Sequence, residues 1–100
     1  MYTITYRNVL QPDKAVDDFE QWLSFAWDIQ KQWGAEDVQY VTLQEKEDQI
    51  CICRYSVSDI DLWNRSNTGP EAISVIRALG EVVDITRTSM KVTVSASGLQ

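Results

Sequence analysis

Between residues 14 and 33 the apolar side chains return with the period of an α-helix, and this segment constrains the fold more than any other. At about 100° per residue, Ala15, Val16, Phe19, Trp22, Leu23, Ala26, Ile29 and Trp33 share one broad face. Asp17, Asp18, Gln21, Ser24, Asp28, Lys31 and Gln32 cover the other side. Acids crowd the first turns and Lys31 sits in the last, which suits the helix dipole, and Gly34 is a natural stop. One polar residue, Gln30, projects from the apolar face and must find a partner there.

The flanking segments have the period of strands instead. In residues 2–10, Tyr2, Ile4 and Tyr6 fall on one face and Thr3, Thr5 and Arg7 on the other. Gln11-Pro12-Asp13 ends the strand, with Asp13 placed to cap the helix. Residues 37–45 and 49–57 form a hairpin around Glu45–Asp48. A helical segment follows from Ser58, with Leu62 and Trp63. It breaks at Asn67-Thr-Gly-Pro70, and a further helix runs to about Leu79 with Ala72, Val75 and Ile76 on one face. Residues 85–95 close the chain as a strand, with Met90, Val92 and Val94 alternating against Lys91 and Thr93.

The order is β-α-β-β-α-β, the ferredoxin-like split motif of an α+β domain. It predicts a four-stranded antiparallel sheet with its helices on one face. A single domain over 1–96 is expected, with 97–100 as a frayed tail. The open sheet face needs cover, and a second copy of the chain, hence a homodimer, is the expected remedy.

Composition excludes several chemistries. With 15 acidic against 9 basic residues the net charge is −6, which disfavours nucleic acid and anionic membrane surfaces as partners. No apolar run approaches a membrane span, and residues 1–12 lack the unbroken apolar stretch of a signal peptide, so a cytoplasmic location is expected. The chain has no histidine, which removes the usual near-neutral base, the commonest metal ligand and the Ser-His-Asp and Cys-His arrangements. Cys51 and Cys53 share one strand face with Cβ atoms roughly 6.5–7 Å apart, too far for an unstrained disulfide. They read as small buried hydrophobes, since a metal site would need two further ligands. No metal or cofactor is expected.

Residues 54–72, RYSVSDIDLWNRSNTGPEA, resemble the dimeric α/β-barrel superfamily that includes antibiotic-biosynthesis-type monooxygenases. A strand ending in Tyr55 runs into Ser58 and Asp59, then the apolar pair Leu62–Trp63, then a break before the last helix. Many members carry a histidine about seven positions after the serine. Arg65 stands there, so the haem-degrading branch does not fit. The cofactor-independent oxygenases work with Asn, Trp and Tyr around an aromatic substrate, and the resemblance offers Tyr55, Trp63 and Asn64 as candidate catalytic residues. Tyr55 or Asn64 would hydrogen-bond a developing substrate anion, and Trp63 would stack on it.

The pocket expected from this reading lies between sheet and helices, lined by Trp22, Trp27, Tyr40, Tyr55, Trp63 and Asn64 and suited to a small aromatic. The same rings could equally be plain core. Arg54 faces the opposite side of the sheet, where it could anchor an anionic ligand or form a salt bridge at a dimer rim. Arg65 is the second candidate ligand-binding cation. Two functions remain open: a monooxygenase-like enzyme on a small aromatic, and a non-catalytic domain that binds a ligand or acts through its dimer surface.

Overall fold

The computed structural model describes residues 1–94. The elements follow the expected order: β1 (Tyr2–Val9), α1 (Val16–Gln32), β2 (Ala35–Glu45), β3 (Asp48–Val57), α2 (Ile60–Asn67), α3 (Pro70–Gly80) and β4 (Ser89–Val94). The sheet is antiparallel throughout, in the order β2-β3-β1-β4. This is the ferredoxin-like α+β fold. The expected tail at 97–100 and the domain end at residue 96 lie outside the described residues.

Local chemistry sets the element boundaries. Asp13 does not cap α1; the cap falls on Ala15, whose backbone N–H donates to the Asp18 carboxylate at 2.9 Å. Pro12 keeps Asp13 in the preceding turn, two residues too early. Gly34 ends the helix in the left-handed region at φ 95°, which a side chain tolerates poorly. The β2–β3 hairpin closes over two residues, Lys46 and Glu47, with Lys46 at φ 56°. Asp59 caps α2 by accepting from the Leu62 N–H, and Pro70 opens α3.

The last strand is shorter than its alternation predicts. Residues 85–87 form a 3-10 turn, because the Asp84 carboxylate accepts from both the backbone N–H and the hydroxyl of Thr86. The bidentate pair between Arg87 and Asp48 then ties this turn to the start of β3. Met90, Val92 and Val94 do lie on the helix side, opposite Tyr6, Ile4 and Tyr2 of β1. They are nevertheless exposed, since β4 is an edge strand that the helices do not cover.

The core lies between the sheet and the helices. Ile4, Phe19, Trp22, Ala26, Cys51, Tyr55, Val57, Trp63 and Val75 are all buried there. Phe19 packs on Trp22 and Tyr40 at ring distances of 5.5 and 6.1 Å. Trp63 fills the space between Trp33 and Tyr55, at 5.9 and 5.1 Å.

The opposite sheet face, expected to be apolar enough to need cover, is mixed. Thr3, Thr5, Arg54, Ser56, Lys91 and Thr93 make much of it polar. At one end Val9 and Ile50 pair directly and are buried. There the Arg7 guanidinium reaches across β3 to Glu45 of β2 at 2.6 Å. Val41 remains exposed on this face, flanked by the half-buried Leu43 and Ile52. The face is thus mixed, partly covered by the chain's own ion pair.

Candidate functional site

A cavity of about 160 Å³ opens between the sheet and the helices. Its floor comes from β1 and β3: Tyr6 and Asn8 alternate inward on β1, and Cys53 and Tyr55 do so on β3. Its roof comes from α1 and α3, through Trp22, Gln30, Val75 and Leu79, and Asn67 closes one side from α2. Ile76, Ile85 and Thr88 form the mouth, and both isoleucines are exposed.

Most of the polar groups around the cavity are already spoken for. The Trp22 indole N–H donates to the Val75 carbonyl at 3.0 Å, which ties α1 to α3. The Asn67 amide donates to the Trp63 carbonyl at 2.9 Å. Three oxygens are different: among the described residues Asn8 Oδ1, Gln30 Oε1 and the Tyr55 hydroxyl make no hydrogen bond of normal geometry, although the Gln30 amide and the Cys53 thiol lie beside the Tyr55 hydroxyl. Their residues are 2%, 4% and 1% exposed. An unpaired buried polar group costs about 1–3 kcal/mol, so three in residues around one apolar space make it the candidate ligand site.

The ionisable groups here are held neutral. Burial, and then Cys53 beside it, push the Tyr55 phenol far above its ordinary range, with only the Gln30 amide acting the other way. Burial likewise raises Tyr6. Both thiols, Cys51 and Cys53, rise to about 11, chiefly through burial. Tyr55 is therefore a hydrogen-bond donor at neutral pH, not a base, and the thiols are poor nucleophiles.

Of the residues expected in the pocket, the cavity brings together Trp22 and Tyr55. Trp63 stands behind Tyr55, sandwiched between rings and buried in the core. Trp27 and Tyr40 lie in a separate shallow groove beside α1 and β2, where the Tyr40 hydroxyl donates to Glu20. Asn64 and Arg65 are exposed on α2, because Trp63 takes the inward position of that turn. Asn67, one turn on, lines the cavity in place of Asn64. Arg54 lies on the far side of the sheet, and none of the ion pairs among the described residues uses it.

Asn8 is not among the expected site residues, though the sequence carries a signal for it. It continues the inward register Ile4–Tyr6–Asn8, where an amide has no reason to stand unless something meets it. No group of three or more His, Cys, Asp or Glu side chains that could hold a metal occurs among the described residues.

Sheet order and helix placement define a ferredoxin-like fold, similar to that of solved antibiotic-biosynthesis monooxygenases. A cofactor-independent oxygenase from Streptomyces nogalater, SnoaB, superposes with a TM-score of 0.74 at 14% identity, over 94% of this chain and 91% of that one. HapK from Hahella chejuensis gives 0.69 at 13% identity, over 96% and 95%. An antibiotic biosynthesis monooxygenase gives 0.66 at 8% identity, over 96% and 99%. No protein-family model matches the chain, and no curated protein matches it by sequence. At these identities the likeness is one of fold.

Proposed function

We propose that this chain is a cofactor-independent, monooxygenase-like enzyme that holds a small electron-rich aromatic in the sheet–helix cavity. The observation that carries the reading is the set of three unpaired buried oxygens, on Asn8, Gln30 and Tyr55, around an otherwise apolar space. A dry cavity of about 150 Å³ accommodates benzene, so 160 Å³ seats one ring. Larger ligands extend through the mouth at Ile76 and Ile85.

Trp22 lines the seat of the ring, and the Asn8 and Gln30 oxygens accept from a ring hydroxyl. Tyr55 donates to the oxygen on which negative charge develops as the ring is oxidised, an interaction stronger in the transition state than in the ground state. With an anthrone-type substrate the overall change is methylene plus O₂ to carbonyl plus water. One oxygen atom enters the substrate, and the other leaves with both methylene hydrogens, so no external reductant is required.

The test is oxygen uptake with quinol and anthrone-type substrates. Uptake that depends on Tyr55 supports the enzyme. If uptake is absent while such compounds still raise Tm, the second reading replaces it: a non-catalytic binding domain. One observation favours that alternative, namely that no group in the cavity titrates near neutrality to act as a base.

A homodimer in a reducing, cytoplasmic setting completes the proposal. Exposed Val41 on one sheet face and exposed Met90, Val92 and Val94 on the edge strand are apolar surfaces left for a second copy. Two free cysteines accord with a reducing compartment. No helix among the described residues is long and apolar enough to cross a membrane.

A further inference from the structure

From the same cavity we infer that Asn8 is a specificity determinant, which makes the site select uncharged ligands bearing a hydroxyl group and reject carboxylates. The inference rests on the reading that this cavity is the ligand site, but not on any turnover there.

The orientation of Asn8 decides the argument. Its Nδ2 donates to the Cys51 carbonyl at 3.3 Å, which spends the donor side of the amide on the neighbouring strand. What remains is Oδ1, a buried acceptor without a partner among the described residues, in a cavity-lining residue that is 2% exposed. Gln30 lines the same space from α1, and its buried Oε1 likewise makes no hydrogen bond of normal geometry. A ligand hydroxyl can donate to either oxygen, so each amide loses the penalty of unpaired burial when such a ligand enters.

Among the described residues no Lys, Arg, Asp or Glu lines the cavity. A carboxylate there would find the Tyr55 hydroxyl as a donor but no cation to balance its charge, and Arg54 and Arg65 stand elsewhere. Burying an unpaired charge costs far more than burying a neutral hydroxyl. An aromatic lacking any donor escapes that cost but leaves Oδ1 unsatisfied. The site therefore ranks hydroxyl-bearing above plain, and plain above anionic.

Three single-ring probes isolate the effect, because they differ in one substituent: benzyl alcohol, toluene and benzoate. Binding is followed by calorimetry and by quenching of tryptophan fluorescence. Benzyl alcohol is expected to bind about tenfold more tightly than toluene, the worth of one recovered hydrogen bond, and benzoate least of all. Asn8→Leu, close in shape but without the acceptor, is expected to bring the benzyl alcohol to toluene ratio down toward that of a purely apolar pocket. Should that variant not fold, Gln30→Met reads the second acceptor in the same way.

Equal binding of benzyl alcohol and toluene overturns the inference, as does benzoate binding as tightly as benzyl alcohol. A ratio unchanged by Asn8→Leu removes Asn8 from the role. Benzyl alcohol is not a quinol or anthrone-type substrate, so its binding is judged apart from catalysis. The expected ranking without oxygen uptake refutes the enzyme alone, whereas uptake without the ranking refutes the selectivity alone.

Discussion

Replacing Tyr55 with Phe separates a functional hydroxyl from a structural one, because the two roles predict opposite signs for stability. The ring is held by Tyr6 and Trp63 at 5.8 and 5.1 Å, and Phe preserves both contacts. Only the hydroxyl is lost, and it is buried without a hydrogen bond of normal geometry, beside the Gln30 amide and the Cys53 thiol. A hydroxyl stripped of water and given nothing in return destabilises the fold, so its removal is expected to raise stability by about 1 kcal/mol. For a domain of this size that corresponds to a Tm increase of roughly 4–8 °C. Oxygen uptake is expected to fall by about 10²-fold, the usual cost of deleting one donor to a developing oxyanion.

Thermal unfolding by circular dichroism without ligand, followed by oxygen uptake at saturating substrate, reads both halves. A Tm lowered by several degrees would mean that the hydroxyl is satisfied in the folded protein and helps to hold it together. Unchanged uptake would remove Tyr55 from the chemistry. Either result breaks the argument that unpaired burial marks the site.

Other perturbations address the frame around the cavity. Phe19→Ala is expected to cost about 3–5 kcal/mol in urea unfolding, since Phe19 is fully buried against Trp22 and Tyr40; a loss under 1 kcal/mol would place the core elsewhere. Val41→Asp should convert a dimer to a monomer in light scattering, and a wild-type chain already monomeric at micromolar concentration would exclude pairing. The Arg87 guanidinium holds the Asp48 carboxyl below its usual range. Because the folded value is depressed, the stabilisation is present above the ordinary carboxylate range and is lost as pH falls through the folded value. Arg87→Ala should therefore be less stable than wild type near neutral pH and equal to it in strong acid. A difference that persists in acid would assign the loss to packing.

The fold was legible in the sequence because its signals are periodic and redundant. The helical stripe from Val16 to Trp33 and the alternation of β1 and β3 each repeat over many residues, so one misplaced cap, such as Asp13, shifts a boundary without changing an element. The absence of histidine likewise set firm limits on chemistry before any coordinate. The candidate site was only half legible, since it depends on which neighbour takes each inward position. In α2 the bulky Trp63 points into the core and turns Asn64 and Arg65 outward, a choice that packing makes and composition does not. Trp27 and Tyr40 share the aromatic character of Trp22 but lie on another side of α1.

Asn8 could be seen in the sequence as a polar residue in an apolar register. Only the tertiary structure decided that its amide nitrogen is taken by Cys51 while its oxygen is left without a partner among the described residues. Local periodicity specifies what an element is and which face it buries. Whether a buried polar atom finds a partner depends on residues far apart in the chain, and that is settled only when strands and helices come together.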